Sequence, residues 1–431
     1  MNLNLRRLGV SLALSLLITG LAGCELPGAA GNDPNKNQTE DNQQNAAAKT
    51  IHEGTISKDE TWKKADGPHL IRGDVYVESE NGAVLTIEAG TVVQFEKGAN
   101  LRVGYSGTSG VLKAEGTAES PIIFTSALNN KAKGDWGHIW IGEGGTSTVM
   151  AHCKVMYGGG DNAAVIVDGT SNYPTIRNSV FENNAGYAIK VQGQAAFTAF
   201  AGNRIASSEE NPIRLAASTV GTLGADNIFE ANGVQAIYVE GDTISKSARW
   251  RNHGIPYRVA LDHVYVDHES VLPVLTIDPG TVVEFAANLA LRIAYNGGQA
   301  ALYAKGEAGN PIRFTGVRKD PGSWDGISMW DGTKAGKDGE TDTTVLEHVI
   351  IEYAGDKDAS DGALLYLNNA NPFVRNVTFR YSDTKKAVVV RGVRSQVPSF
   401  DSWGIYADNG SGNIWGDDLM DPPVDDGAAV E

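Results

Sequence analysis

Closely spaced carboxylates are the clearest candidates for metal chemistry in this chain of 431 residues. Asp356, Asp358 and Asp361 fall in one short run that ends at Gly362, and carboxylate oxygens at such density can coordinate Ca²⁺. The spacing is one residue too long for the start of an EF-hand loop, and its twelfth position is Leu367 rather than glutamate. The spacing therefore favours a solvated turn. We expect no cofactor, with Ca²⁺ at these three aspartates as the alternative.

A second set of candidates could form platforms for sugar rings, because aromatic faces stack on the apolar faces of sugars. Four tryptophans recur at matched positions in two halves of the chain, and we interpret them as caps or core: Trp62 with Trp250, and Trp136 with Trp324. Other tryptophans have no such match. The candidates for ligand binding are Trp140, Trp330, Tyr105 and Tyr295.

The first 23 residues have the pattern of a secretory signal, with Arg6 and Arg7 ahead of an apolar stretch. The stretch ends in Leu21-Ala22-Gly23-Cys24, which resembles a bacterial lipobox. That resemblance implies that the Cys24 thiol receives the lipid, and the alternative is an ordinary signal peptide with a chance cysteine. Residues 24–50 contain almost no large apolar side chains and predict a disordered tether. We therefore expect an extracytoplasmic, lipid-anchored protein. Glu25, rather than aspartate, after the cysteine favours the outer membrane or cell surface of a Gram-negative source.

Charge and cysteine content restrict the partners. The formal net charge of −16 disfavours nucleic acid and anionic lipid as partners of the folded part. It suits neutral glycans or cations, and it argues against a polyanionic substrate unless calcium bridges the two. Once Cys24 is lipidated, Cys153 has no partner for an intramolecular disulfide. Cys153 lies in an apparent strand, where we interpret it as a small buried residue rather than a reactive thiol.

The elements that would position these residues are short strands. Alternating apolar pairs such as Leu85/Ile87 and Val93/Phe95 are separated by turn residues. Ile189, Ile213 and Ile237 recur at a constant spacing in the range typical of solenoids. About three strands per repeat favour a parallel β-helix, whose coils stack like residues into columns. One such column, Asn178, Asn203 and Asp226, predicts a ladder of side-chain amides at a turn.

The solenoid is also doubled. The phrase VLTIEAGTVVQF at 84–95 returns as VLTIDPGTVVEF at 274–285, and both phrases predict a strand, a glycine corner and a second strand. The matches predict module 1 at 51–240, module 2 at 241–410 and an acidic tail at 411–431. His152 and His348 occupy equivalent strand positions beside apolar residues, where we expect packing residues rather than metal ligands.

At these residues the chain resembles a known family. The opening coil, from Trp62 through Val75-Tyr76-Val77 to the phrase at 84–95, resembles bacterial secreted right-handed β-helix repeat proteins with the pectin-lyase-like fold. Trp324-Asp325-Gly326-Ile327 is similar to a mid-module phrase of that family. The resemblance implies an all-β, right-handed parallel β-helix in an extracytoplasmic location. It implies little about activity, because a fold does not fix a function.

Enzymes of that fold place clustered carboxylates on one face of the helix, often with calcium and an arginine or lysine base. No such cluster is visible in the sequence. Gly416-Asp417-Asp418 lies in the acidic tail, and Arg177, Lys190 and Arg214 fall on strands without an adjacent acidic residue. We therefore expect a structural, adhesive or glycan-binding role, with a membrane, a glycan or a surface protein as partner. The alternative is a polysaccharide lyase or glycoside hydrolase.

Overall fold

The structure is a computed structural model, and it describes residues 50–105, 107–355, 362–384 and 386–392, together with the backbone of two strands at 404–407 and 414–416. The chain divides into two units, Met1–Gln43 and Gln44–Glu431, and every described residue belongs to the second. The signal sequence, Cys24 and the aspartates considered as calcium ligands (Asp356, Asp358 and Asp361) lie outside the described residues. Within the described part, no helix has the length and apolarity needed to cross a membrane.

Short β-strands are the main regular element of the described chain. The strands up to residue 240 are β1 (Thr50–Ile56), β2 (Glu60–Trp62), β3 (His69–Val77), β4 (Val84–Ile87), β5 (Val92–Phe95), β6 (Asn100–Val103), β7 (Val111–Glu115), β8 (Ile122–Ser126), β9 (Ile139–Ile141), β10 (Val149–Ala151), β11 (Cys153–Met156), β12 (Ala163–Val167), β13 (Thr175–Arg177), β14 (Val180–Glu182), β15 (Tyr187–Val191), β16 (Ala199–Ala201), β17 (Arg204–Ala206), β18 (Ile213–Ala216), β19 (Ile228–Glu230) and β20 (Ile237–Glu240).

The remaining strands are β21 (Thr243–Ile244), β22 (Ala248–Trp250), β23 (Tyr257–Ala260), β24 (Val264–Val266), β25 (Val274–Ile277), β26 (Val282–Phe285), β27 (Ala290–Ile293), β28 (Ala301–Lys305), β29 (Ile312–Gly316), β30 (Gly326–Met329), β31 (Val345–Glu347), β32 (Val349–Glu352), β33 (Leu365–Asn368), β34 (Phe373–Arg375), β35 (Val377–Arg380), β36 (Val388–Arg391), β37 (Gly404–Ala407) and β38 (Ile414–Gly416). Short 3₁₀ helices are η1 (Lys64–Asp66), η2 (Glu143–Gly145) and η3 (Ala217–Thr222).

The strands stack into five ladders, and all pairings between the strands named above are parallel. Ladder A is β2-β4-β7-β10-β13-β16, and ladder B is β5-β8-β11-β14-β17-β19. Ladder C runs from β6 through β9, β12, β15, β18, β20, β23, β26, β29, β32 and β35 to β37. The long strand β3 pairs with both β5 and β6 and so joins B and C, and β1 stacks on β3 from the other side. Ladder D is β21-β24-β27-β30-β33-β36-β38, and ladder E is β22-β25-β28-β31-β34. Successive strands of each coil pass from one ladder to the next, so the predicted parallel β-helix is confirmed.

The core is a single apolar interior filled by every second side chain of the strands. The four matched tryptophans lie in it, as interpreted from the sequence, and each is at most 1% exposed. Trp136 stacks on Phe95 at 4.1 Å between ring centroids, and Trp324 stacks on Phe285 at 4.5 Å. The indole N–H groups of Trp136 and Trp324 each donate to a backbone carbonyl of the following coil at 2.9 Å, which satisfies the polar atom that burial would otherwise leave unpaired.

The buried polar ladder exists, but the predicted column is displaced by one residue at two of its three positions. The buried members are Ser179, Asn203 and Asn227. The Asn227 Oδ1 accepts the backbone N–H of Asn203, and the Asn203 Oδ1 accepts that of Ser179, both at 3.1 Å. Asn178 and Asp226 precede the ladder and adopt left-handed backbone angles, with φ of 50° and 61°. The prediction was wrong there because asparagine and aspartate also suit a left-handed corner, so their type does not identify the buried position.

His152 and His348 also belong to corners rather than to the core. Both have φ of 49°, and both side chains are half-buried. Their Nε2 atoms lie 3.5 and 3.4 Å from the side-chain amides of Asn178 and Asn376 in the next coil. We expected both histidines to pack in the core, but their side chains lie at corners and contact the next coil instead.

The two copies of the repeated phrase lie on different ladders. In the first copy Val92–Phe95 is β5 on ladder B, whereas in the second Val282–Phe285 is β26 on ladder C. The change occurs where ladder B ends at β19 and ladder D begins at β21. The His253 ring packs edge-on against Phe229 at 5.6 Å, so the loop before β23 covers the last strand of ladder B. As a result, β27, the second-half equivalent of β6, lies on ladder D rather than on ladder C.

Candidate functional site

An outward row of side chains follows ladder C across seven strands. Parallel register places Tyr76 beside Arg102, Arg102 beside Trp140, Trp140 beside Ile166, Ile166 beside Lys190, Lys190 beside Arg214 and Arg214 beside Tyr238. These positions alternate with buried ones such as Val75 and Leu101, so their side chains lie on the outer surface. At ~4.8 Å per strand the row is about 29 Å long. We call it the ladder C row.

Two of the sequence candidates meet at this row. Tyr105 follows β6 at a corner, and its ring packs edge-to-face against Trp140 at 5.4 Å with an interplanar angle of 86°. Tyr105 is 41% exposed, which is high for a large aromatic side chain in this protein. The Arg102 guanidinium lies 4.6 Å from the Tyr105 ring centroid, within the range of a cation–π contact. Tyr105 therefore has one side fixed by neighbours and an open side toward solvent.

Trp140 stands on an apolar patch that is separate from the core. The patch consists of Ala163, Ile166 and Tyr187, and Trp140 and Tyr238 pack against it. Tyr187 and Tyr238 contact each other edge-on at 6.2 Å, and Arg214 lies over both rings at 5.8 and 5.1 Å. The row therefore has an aromatic group at each end and an apolar patch between them.

The charges along the ladder C row are largely compensated. The Asp74 carboxylate lies 3.3 Å from Arg102 Nε, and it also accepts hydrogen bonds from the Tyr76 hydroxyl at 3.2 Å and the buried Asn100 amide at 2.7 Å. Arg214 pairs with Glu240. Among the described residues, Lys190 has no ion-pair partner within 4.0 Å. Such a surface suits a neutral ligand with many hydroxyl groups, because it combines aromatic faces with polar groups whose charges are mostly paired.

Two arginines that have no acidic neighbour in the sequence are paired across coils. Arg177 and Arg214 do have acidic partners, since Arg177 lies 3.7 Å from Glu115 and Arg214 contacts Glu240. Glu240 lies one coil away from Arg214 and Glu115 two coils away from Arg177, so both partners are tens of residues away in the chain. A search for acidic residues adjacent in sequence cannot find them in a solenoid.

The other two candidates form a second group with the same geometry on ladder D. Tyr295 packs edge-to-face against Trp330 at 5.1 Å and 89°, and it is 39% exposed. Arg292 lies 4.5 Å from the Tyr295 ring and 5.8 Å from the Tyr265 ring. Trp330 again packs on a small outer apolar patch, formed by Ala363, Tyr366 and Val389.

The sequence analysis named all four aromatic residues of these two groups but missed their partners, and their role in ligand binding stays a prediction. Tyr76/Arg102 and Tyr265/Arg292 are equivalent in the two halves, so the repeated Tyr and Arg positions were a usable signal. The tryptophans are not equivalent in sequence. Trp140 lies on β9, whereas Trp330 directly follows β30, and only the fold shows that each packs against the matching tyrosine.

Catalysis by carboxylates or by a bound metal has less support than aromatic binding surfaces in the described part of the chain. No group of three or more His, Cys, Asp or Glu side chains suitable for a metal occurs there. Glu352 is the most buried carboxylate with cationic partners and lies 2.7 Å from Arg313 Nη1. Burial acts to raise the pKa of Glu352, but hydrogen bonds from Arg313 and Arg380 outweigh this and hold the pKa below its ordinary value. Glu352 is therefore ionised at neutral pH and unsuited to donating a proton.

Two further titratable groups are inert. Cys153 is 1% exposed, and burial raises the pKa of its thiol to about 12, which confirms the interpretation as a buried structural residue. His138 lies behind Trp140 with 5.4 Å between ring centroids. Burial, with Arg102 nearby, lowers the pKa of His138 to about 4, so the imidazole is neutral under physiological conditions.

One comparison with known proteins is informative. Residues 54–166 match the family model described as a pectate-lyase like beta helix domain. The matched segment includes Tyr76, Arg102, Tyr105 and Trp140, so the first aromatic group lies inside it. Neither the curated proteins nor the solved structures contain a significant match to the chain.

Proposed function

We propose that the protein binds an extended neutral glycan along the ladder C row. The observation that supports this most directly is the Tyr105–Trp140 pair, in which an exposed ring is braced by an edge-to-face contact and by Arg102. A rigid aromatic surface loses little side-chain entropy when a ligand binds. The advance of about 4.8 Å per strand is also close to the length of one sugar unit in an extended polysaccharide.

The rest of the proposed role concerns location. We propose that Cys24 carries a lipid and that residues 24–50 tether the β-helix to the bacterial outer membrane or cell surface. A lipid anchor and a glycan-binding surface together would suit a structural or adhesive role at the cell surface. The sequence pattern at Leu21-Ala22-Gly23-Cys24 supports the anchor. Cys24→Ala should shift the protein from the membrane fraction to the soluble fraction, which cell fractionation measures. Unchanged membrane association would contradict the lipid anchor.

Binding is best tested on a glycan array with full-length protein in detergent. We expect Trp140→Ala and Tyr105→Ala each to weaken binding to the best neutral glycan by about 10-fold or more, since stacking of a ring contributes ~1–3 kcal/mol. Tyr173→Ala is the matched control, because Tyr173 is 44% exposed, similar to Tyr105, but does not belong to the row. Equal losses in all three variants, or none, would contradict the proposal.

The competing function is cleavage of a polysaccharide, and the family match at 54–166 supports it. Cleavage needs a group that takes up a proton, and Lys190 is the one basic residue of the row that has no acidic partner among the described residues. Release of unsaturated or reducing sugars from uronate or neutral polysaccharides, abolished in Lys190→Met, would favour this function over simple binding.

A further inference from the structure

The two aromatic groups have the same geometry but different charge. In the first group, Asp74 lies 3.3 Å from Arg102 Nε and neutralises it. Alignment of Val75-Tyr76-Val77 with Val264-Tyr265-Val266 places His263 at the position of Asp74. In the described part of the chain, no carboxylate lies within 4.0 Å of the Arg292 guanidinium. One residue difference therefore removes the counter-charge from the second group.

His263 does not replace the missing carboxylate. Its Nδ1 accepts the backbone N–H of Ala290 at 3.0 Å, so this nitrogen carries no proton. Burial and the nearby Arg292 lower the pKa of His263, although Asp262 acts in the opposite direction. The lowered pKa keeps the His263 ring neutral. The other nearby acid, Asp267, is buried and accepts the backbone N–H of Asn296 at 2.9 Å. Arg292 therefore has no direct carboxylate partner among the described residues.

The surroundings of Arg292 restrict what can use that charge. The rings of Tyr265 and Tyr295 flank the guanidinium, and Trp330 fixes Tyr295 from the side. A planar guanidinium binds carboxylate or sulfate through paired N–H donors. The partly exposed Tyr295 ring offers a stacking face for the sugar that bears the anion. The protein is strongly acidic overall, so a single anionic group fits this position better than a polyanion.

The second group is also separate in space from the first. Arg102 lies on ladder C and Arg292 on ladder D, because the strands of the second half are displaced by one ladder. A glycan that follows the ladder C row meets Arg258 and Glu284 next, not Arg292. The two groups therefore contact different segments of ligand.

We propose that Tyr265, Arg292, Tyr295 and Trp330 form a second carbohydrate site, distinct from the ladder C row, which takes a sugar bearing one anionic substituent. This inference rests on the proposed glycan-binding function and adds the ligand class of the second site. The shared chemistry is a pyranose ring with a carboxylate or a sulfate.

The test compares the binding of three ligands by full-length protein in detergent: an oligoglucan that carries one glucuronate residue, its methyl ester and the same oligoglucan with one sulfate group instead. We expect the wild-type protein to bind the singly charged acid about 10- to 100-fold more tightly than the ester, because the ester cannot form the charge-assisted hydrogen bonds with Arg292. Arg292→Gln and His263→Asp should each remove this preference, the second by restoring the counter-charge found in the first group. Arg102→Gln is the matched control and should keep it. Arg292-dependent binding of the sulfated ligand alone would support the site and assign sulfate as the anion.

Equal affinity for the acid and its ester, without Arg292-dependent binding of the sulfated ligand, would overturn the inference. So would a preference that Arg102→Gln removes and Arg292→Gln keeps. Neutral-glycan binding that depends on Trp140 would still support the proposed function in that case. Conversely, Arg292-dependent binding without any contribution from Trp140 would support the second site and contradict the ladder C proposal. Unchanged circular dichroism and melting temperatures in the variants would show that they fold.

Discussion

Replacing Asn203 by alanine should strongly destabilise the first half of the β-helix. The Asn203 side chain is 1% exposed and connects three coils. Its Oδ1 accepts the Ser179 N–H at 3.1 Å, and its Nδ2 donates to the Ile176 carbonyl at 3.0 Å and to Asn227 Oδ1 at 3.2 Å. Alanine leaves the Ser179 N–H and the Ile176 carbonyl buried without these partners. At ~1–3 kcal/mol for each of these two unsatisfied buried groups, the expected loss of unfolding free energy is about 2–6 kcal/mol.

The matched control is Asn178→Gly, one residue away from the ladder position in the previous coil. Asn178 is exposed and has φ of 50°, a backbone conformation that glycine adopts without strain. The expected change is below about 1 kcal/mol. Urea unfolding followed by circular dichroism measures both variants, and the slope as well as the midpoint should be compared, because a repeat protein can unfold in parts. Similar losses for the two variants, or a larger loss for Asn178→Gly, would refute the assignment of the buried ladder.

Other consequences can be measured in the same way. Glu352→Gln should destabilise the second half by about 2 kcal/mol at neutral pH, since it weakens charge-assisted hydrogen bonds from Arg313 and Arg380. Because the pKa of Glu352 is lowered in the folded state, its contribution to stability is complete above the unfolded pKa of ~4.3 and is lost as the pH falls through the folded value. The melting temperatures of wild type and variant should therefore converge in acid, and convergence at neutral pH would contradict the role of Glu352. Cys153, in a Cys24→Ser background, should resist thiol reagents until the protein is unfolded, and rapid labelling of the native protein would contradict its burial. Gly104→Ala should destabilise the protein far more than Gly98→Ala. An added Cβ at Gly104 would lie 2.4 Å from the Gly144 backbone, whereas one at Gly98 would meet nothing within 4 Å. Equal melting temperatures of the two variants would argue against the close contact between these coils.

The sequence was sufficient to predict the fold class and the core. Alternating apolar residues and a constant repeat length determine a parallel β-helix almost by themselves, because stacked coils must bury like residues in columns. The matched tryptophans, such as Trp136 and Trp324, were correctly placed inside for the same reason. In both cases the prediction depends only on spacing along the chain.

The remaining features depend on how coils stack, which spacing does not encode. The shift of Val282–Phe285 to ladder C arises where ladder B ends, and the phrase itself reads the same in either position. The pairing of Arg214 with Glu240, and the packing of Trp330 on Tyr295, likewise join residues of different coils. The asparagine column was misplaced because a corner and a buried ladder position favour the same residue types.

The most direct test of the central claim is a crystal structure of the protein with the neutral oligosaccharide that binds best on the array. We predict electron density for the sugar chain along the ladder C row, with one ring stacked on Tyr105 or Trp140 and successive units near Ile166 and Tyr187. Sugar density confined to another ladder, with the Tyr105 and Trp140 rings uncovered, would contradict the account.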